Sequence, residues 1–423
     1  VTDSAAGATA FSCALKSYNG AIAVTPDRKP CATVLEAAKE NGLMTGLVVT
    51  SRITHATPAS FSSHVLWRDW EADIAVQQMG DYALGRRVDL MFGGGRCFFL
   101  PQGMAGSCRN DTRHLWAEAA KYGWNTISTK QEFADLEGDK SKLPLMGLFT
   151  LDHMSYEIDR RPSNEPSLAE MVKKALSILT DATQHAEQGF FLMIEGSRID
   201  MAAHSNDPAA HVHEILAYQE MVDTVRDYVD THGETDVVSV SDHETGGFTL
   251  GRQINATYPE YLWRPEVIER VTASTEQGAI GIHTFNGTDA ERSTFISQLL
   301  QKEFGIADST QDELAALLNR TATPMDTMYA LGDMVSRRAS IGWTTHGHTG
   351  VDVNLYAYGP HAPRLAGNHE NTDIGNFISA VLRLNLGDLT DRLNQPGAIK
   401  MNPNKPPPFK FGISDPSSHK HAV

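Results

Sequence analysis

The sequence predicts an α/β protein with one large, mostly parallel central sheet and helices on both faces. Three observations lead there. Short apolar runs of strand length recur along the chain, helical stretches alternate with them, and carboxylates stand at the downstream ends of two of those runs. A chain of 423 residues, 41% hydrophobic and 21% charged, also has a globular composition and enough apolar material for a sizeable core.

From the N-terminus, Asp3-Ser4 precedes the small residues Ala5 to Ala10, which reads as the start of a helix whose backbone approaches another group closely. Residues 32–41 have helical spacing and end at Gly42, and residues 43–50 then read as a strand. Thr57-Pro58 suits a helix start with Thr57 as N-cap, and Arg68 is expected on or just after that helix. Further strands are expected at 88–92, 143–149, 190–194, 237–240 and 353–358; Gly93-Gly94-Gly95 lacks a nucleotide-loop pattern and reads as a strand-ending turn. The longest helix is predicted from Pro208 to His232, with Val212, Ile215, Leu216, Val222, Val225 and Val229 on its apolar stripe and His211 and His213 outside. Between about 251 and 340 strand signals thin, which suggests an insertion or cap on a domain spanning 1–385. Residues 386–423 read as a surface tail, Pro-rich from Asn402 to Pro408.

The net charge of -16 argues against nucleic-acid binding, which needs a cationic surface. It also repels anionic substrates, so such a substrate requires a local positive well made by metal ions and an arginine. Cys13, Cys31, Cys97 and Cys108 lack zinc-ribbon spacing; a structural disulfide is expected, with Cys97 and Cys108 as the pair because they flank a Pro/Gly-bearing stretch. Asn110, Asn255, Asn286 and Asn319 each open an Asn-X-Ser/Thr sequon, which fits a secretory or vacuolar route. No apolar run reaches the ~20 residues of a membrane span. Val1 is not a Met, so the lack of a visible leader carries no information.

Glu195 ends the apolar run Phe190 to Ile194, and Asp242-His243 follows the run Val237 to Val240, so both groups are expected at strand ends. If Asp200 opens a helical turn, His204 lies on the same face four residues later. With His348 these are the nitrogen and oxygen ligands of a hydrolytic divalent-metal centre. Each has a plainer reading: Ser4 with Asp3 as a helix cap, Thr57 as another, Asp200 and His204 as a surface ion pair, Asp242-His243 as a turn before Gly246-Gly247, Arg68 as a solvated charge. The alternative for Ser4 is an alkoxide nucleophile, and for Thr57 a hydroxyl beside Glu195 around magnesium.

Taken in order, Asp3-Ser4-Ala5, His55-Ala56-Thr57-Pro58, Arg68, Glu195-Gly196-Ser197 with Ile199-Asp200 and His204, Asp242-His243, and His348-Thr349-Gly350 resemble the alkaline phosphatase family. The match runs to about residue 385; Phe11-Ser12-Cys13 and Ser241 to Gly247 are most similar to the fungal, vacuolar-type members. The resemblance implies hydrolysis of phosphate monoesters through a phosphoserine at Ser4, with Arg68 clamping the phosphate. It implies two zinc ions, one held by Asp200, His204 and His348 and one by Asp242 and His243. It implies one magnesium at Glu195 and Thr57, with His55 beside its waters. A homodimer, a vacuolar or extracellular location and a membrane anchor outside this segment are implied too. Family members carry, upstream of the nucleophile, an Asp that bridges the second zinc and the magnesium from a central strand. Its absence here predicts a fragment of a longer protein, poorly active or unstable, with an exposed sheet edge. Two other functions are weighed: a phosphodiesterase of the same metal architecture, and a non-catalytic fragment serving folding or subunit interaction.

Overall fold

A computed structural model describes residues 1–136 and 140–399. Its central sheet holds β1 (Met44–Arg52), β2 (Leu90–Gly94), β3 (Asn125–Ile127), β4 (Leu145–Leu148) and β5 (Phe190–Glu195). They lie in the order β3-β4-β2-β1-β5, every pair parallel. Because strand side chains alternate, each strand feeds two cores. Leu47, Val49 and Met91 enter one core, and Val48, Leu90 and Phe92 the other. Gly93 and Gly94 extend β2, and only Gly95 turns, with a φ of 88°.

The first core is closed by α1 (Ser4–Cys13), α2 (Val34–Glu40), α3 (Ala56–Ser62) and α4 (Glu71–Met79), through Phe11, Leu35, Phe61 and Met79 among others. Two short helices, α5 (Leu115–Glu118) and α6 (Lys130–Ala134), add Leu115 to this core and Phe133 to the opposite one. The second face is covered by α7 (Leu168–Thr183), whose Met171, Val172, Ala175, Ile178 and Leu179 recur at helical spacing, and behind it by the last turns of a long helix described below. Helices therefore lie on both faces, as expected.

Beyond β5 come α8 (Arg198–His204) and α9 (Pro208–Thr231), the latter capped by Asp207, which accepts from the Ala209 and Ala210 amides. The buried side of α9 runs through Glu214, Met221, Val225 and Val229, so Ile215 and Leu216 face solvent, contrary to the stripe read from the sequence. His211 is not outside either: its ring lies 5.7 Å from Phe248 and 5.8 Å from Trp343, and burial pushes its pKa down to about 4.

The strands expected at 237–240 and 353–358 exist but do not join the main ladder. β6 (Val237–Val240) is followed by the two-residue strands β7 (Glu244–Thr245) and β8 (His348–Thr349), which pair with each other, and by β9 (Leu355–Tyr358), which pairs antiparallel with β6. Val238 and Val240 still reach the first core and Val237 the second, yet among the described residues no ladder links β5 to β6.

The segment expected as an insertion is helical: α10 (Pro265–Ile268), α11 (Thr275–Thr284), α12 (Asp289–Glu303), α13 (Gln311–Leu318) and α14 (Pro324–Ala339) share a core of Ile282, Ile296, Leu300, Phe304, Leu331 and Val335. α15 (Thr372–Leu382) returns Ile374 and Phe377 to the first core. The tail read from residue 386 begins with α16 (Leu386–Leu393), which buries Leu389 and Leu393 beside Ala32 and Ala37; its Pro-rich part lies outside the described residues. Cys97 and Cys108 form the expected disulfide.

The turn after β1 is fixed by a buried ion pair. Arg52 grips Glu71 of α4 with Nη2 to Oε1 at 2.7 Å and Nε to Oε2 at 2.9 Å, and its Nη1 donates to Asp152 at 2.7 Å. Thr54 adds a hydroxyl to Glu71 at 2.6 Å. Glu71→Ala leaves the Arg52 guanidinium buried beside only Asp152 and His153, and is expected to cost about 3–5 kcal/mol. Urea unfolding checks this; an unchanged midpoint would show that the pair does not hold the turn.

Candidate metal centre

Ser4 is the first residue of α1, whose N-cap is Asp3: Asp3 Oδ1 accepts from the Ala6 amide at 2.9 Å. The cap reading is therefore correct for Asp3, and it leaves the Ser4 hydroxyl free for other work. Asp3 Oδ2 accepts from the Gly20 amide at 2.9 Å and from Arg68 Nη1 at 3.2 Å. Arg68 is on the loop after α3, where its Nη2 also meets His55 Nε2 at 3.1 Å. The guanidinium is thus held beside the start of α1. Gly7 lets that helix pass the loop after β6: a Cβ there would sit 3.1 Å from the Cβ of Asp242.

Thr57 is not a cap. The cap position falls two residues earlier, at His55, which makes no side-chain capping bond, while the Thr57 hydroxyl serves the Glu195 carboxylate. Glu195 also accepts from Ser51 Oγ at 3.3 Å and from Ser197 Oγ. Burial pushes its pKa up against those three hydroxyls, and the charge of Asp242 adds to the rise. A recessed carboxylate ringed by oxygen donors is the kind of set a hard cation takes. The parallel register of β1 and β5, Val49 opposite Glu195, delivers these groups together at the strand ends.

Asp200 and His204 lie one turn apart on α8, with Asp200 Oδ1 3.3 Å from His204 Nε2 and 3.5 Å from His348 Nε2. The β7–β8 pairing sets His348 opposite Thr245, and Glu244 reinforces it by accepting from the Gly247 and Phe248 amides and from the Thr349 hydroxyl. His204 Nδ1 lies 2.6 Å from the His346 carbonyl, and His348 Nδ1 2.7 Å from the Thr2 carbonyl. A carbonyl only accepts, so both imidazoles carry their proton on Nδ1. Their Nε2 atoms then meet across 3.1 Å beside the Asp200 carboxylate. Two imidazole nitrogens turned onto one carboxylate are a donor set that a cation can take, and backbone acceptors behind the rings are the usual outer support of metal-binding histidines.

Thr245 extends the same design. Its hydroxyl donates to Asp200 Oδ1 at 2.6 Å and so accepts from His243 Nδ1 at 3.2 Å. His243 Nε2 is left as an acceptor, 3.0 Å from Ser4 Oγ and 3.2 Å from Asp242 Oδ2. Burial lowers the basicity of His204, but Asp200 outweighs it and raises the pKa to about 9. Burial likewise disfavours the Asp200 carboxylate, yet His204, His348 and His243 hold its pKa well below the usual range. The rings of His243 and His348 stack at 3.4 Å, and ligand atoms of Asp200, His243 and His348 fall within 4.8 Å of one another.

Ser4 meets His243, which Thr245 links to Asp200, His204 and His348, while Arg68 joins Asp3 and His55. The histidines and carboxylates form one continuous cluster, with Glu195 and Thr57 as an oxygen-rich flank. Sequence reasoning missed Thr245 and Ser51 as supporting groups, read Asp3 as a cap without its hold on Arg68, and gave Ser197 no role. Thr245 lies inside the Asp242 to Gly247 block, but nothing in its spacing distinguishes a hydroxyl that spans two ligands. Thr245→Val keeps the shape and removes the hydroxyl, and is expected to weaken divalent-metal retention 10–100-fold while Thr245→Ser retains most of it. Metal content after dialysis measures the difference; equal loss in both variants would reject the hydrogen-bonding role.

Comparison with known proteins identifies the family. The family model for alkaline phosphatase matches residues 1–384. The chain is 48% identical to the repressible alkaline phosphatase of Saccharomyces cerevisiae, across 92% of this chain and 73% of that protein. It is 45% identical to an alkaline phosphatase of Schizosaccharomyces pombe, across 98% and 77%. Among solved structures, the Thermus thermophilus alkaline phosphatase superposes with a TM-score of 0.76 at 30% identity, covering 91% of this chain and 80% of that one. A mutant of TAB5 alkaline phosphatase, solved with Mg bound in its M3 site, superposes with a TM-score of 0.63 at 26% identity, covering 91% and 85%. The chain belongs to the alkaline phosphatase family and is an enzyme that hydrolyses phosphate monoesters.

Proposed function

We propose that Ser4 is the nucleophile of this hydrolysis and that its cluster holds two zinc ions and one magnesium. The observation that carries the reading is the Ser4 hydroxyl, at the start of α1 and 3.0 Å from His243 Nε2 within the ligand cluster. Asp200, His204 and His348 would hold one zinc, Asp242 and His243 the other, and Glu195 with Thr57 the magnesium, His55 standing next to them. When bound, the metal ions supply the positive charge that acidifies a hydroxyl or water and offsets negative charge on a leaving alkoxide.

The chain's own residues do the rest. Arg68, steered by Asp3 and His55, offers its guanidinium fork to two phosphate oxygens. The positive end of α1 faces the same anion. Ser4 Oγ loses its proton and bonds to phosphorus as the ester P–O bond breaks and the alcohol departs. Water then cleaves the Ser4–phosphate bond, releasing phosphate and restoring the hydroxyl. Guanidinium, helix terminus and cations together form the positive well that an anionic substrate needs on a chain of net charge -16.

The same reading takes the protein as a homodimeric glycoprotein of the secretory route, vacuolar or extracellular. The Cys97–Cys108 disulfide, the exposure of Asn110, Asn255, Asn286 and Asn319, and the fungal relatives support it. Among the described residues no helix is long and apolar enough to cross a membrane.

The test is turnover of p-nitrophenyl phosphate against bis(p-nitrophenyl) phosphate, in protein supplied with zinc and magnesium. The monoester is expected to be the better substrate by orders of magnitude, with Ser4 labelled by phosphate when the reaction is stopped in acid. Preference for the diester, or phosphate on another residue, would overturn it.

A further inference from the structure

We propose that Cys13 and Cys31 form a second disulfide, which ties the far end of the Ser4 helix to the segment that enters α2. Cys13 is the last residue of α1, and Cys31 lies two residues before Thr33, the N-cap of α2. Both are buried, at 6% and 3% exposure, in a small pocket with Ala23 and Leu15. Their sulfur atoms are 2.6 Å apart. Unbonded carbon atoms, which are smaller, already sit at about 3.5–4.0 Å. The two sulfurs are unbonded in this structure, yet thiols do not rest at this separation, and closing to the roughly 2.05 Å of a sulfur–sulfur bond relieves the contact. The Cys31 backbone is fixed independently, its amide donating to the Ala23 carbonyl at 3.0 Å, so the approach is set by the fold on both sides.

The chemistry balances with an oxidant that the chain already needs. Closing the bridge breaks two S–H bonds, forms one S–S bond, and releases two protons and two electrons. A disulfide-bearing exchange partner takes the electrons and becomes two thiols. Cys97 and Cys108 are bridged in the same chain and require the same class of oxidant. Since the sulfurs are sealed from solvent in the fold, exchange takes place while α1 and its following loop are still open, and the finished bridge is then protected.

The bridge spans 18 residues in sequence. The loop it closes carries Gly20, whose amide donates to Asp3 and whose carbonyl accepts from the Arg68 amide at 2.8 Å. Ala21 and Ala23 of this loop also share the Thr9 hydroxyl on α1. Cross-linking it restricts the unfolded chain and favours the arrangement that presents Ser4 and Arg68 together.

The experiment uses the full chain secreted from a eukaryotic host, denatured without reductant, alkylated and digested for mass spectrometry. No alkylated cysteine and a Cys13–Cys31 linked peptide are expected, beside the Cys97–Cys108 peptide. Alkylation of Cys13 and Cys31 with the other bridge intact overturns the proposal, as does pairing of either with Cys97 or Cys108. Cys31→Ala gives a second readout that survives poor folding, because the thiols are counted in denaturant. The count rises from none to one if the bridge exists, and falls from two to one if it does not.

Discussion

Ser4→Ala is expected to lower turnover of p-nitrophenyl phosphate by on the order of a thousandfold or more, since removal of a nucleophile abolishes the covalent route and leaves only what the surrounding charges do for direct attack by water. The loss will fall on kcat. Binding of inorganic phosphate is expected to change far less, because Arg68 and the metal ligands stay in place. Folding is expected to be unharmed: Asp3, not Ser4, caps α1, and alanine is well suited to the first turn of a helix. Steady-state kinetics with inorganic phosphate as inhibitor measures both arms. Wild-type turnover in Ser4→Ala would remove Ser4 from the mechanism, and loss of phosphate binding together with kcat would assign it to substrate positioning instead.

Asp200→Asn is the second large effect. The amide nearly matches the carboxylate in shape but carries no charge. Asp200 lies within 3.5 Å of the Nε2 atoms of both His204 and His348 and accepts the Thr245 hydroxyl. Under the proposed assignment, one neutralisation therefore removes an anionic ligand and loosens the support of His243 on the other side of the cluster. Outer supports of metal sites are worth roughly 10–100-fold in affinity, so loss of the ligand itself is expected to exceed that range. Zinc per chain after dialysis should fall clearly below that of Thr245→Val, with activity falling in step and returning in part when zinc is added in excess. Full zinc content in Asp200→Asn would show that the cluster does not depend on this carboxylate.

The sequence made the site more legible than the sheet. Glu195 and Asp242-His243 at strand ends and Asp200 with His204 at one-turn spacing form a local pattern, whereas Ser4, Arg68 and His348 stand out only through the resemblance of the ordered blocks to a family. The supports were hidden, since Thr245 and Ser51 act through long-range contacts that leave no period in the chain. Thr57 illustrates the limit: Thr-Pro is a sound capping signal, but a buried carboxylate from β5 claimed the hydroxyl. Val237 to Val240 reads as a core strand and packs as one, yet strand spelling does not state a strand's partner, and among the described residues β6 pairs with β9 rather than with the central sheet. His211 was misplaced for a related reason: the helical period of α9 located a buried face, while the Phe248 and Trp343 rings that cover its N-terminal end come from elsewhere in the chain.

The site residues are contributed by two separate strand pairings. Glu195, Asp200 and His204 ride on the block laced to the central sheet, whereas Asp242, His243 and His348 ride on the block made by β6 to β9. At the site the two blocks clasp through small links: Thr245 to Asp200, and the mutual bonds in which His204 and His346 each reach the other's carbonyl. A cation that drew ligands from both groups, as the proposed assignment has it, would couple them. Its binding energy is shared with the joining of the blocks, so the grip on metal and the rigidity of the β6–β9 block rise and fall as one quantity.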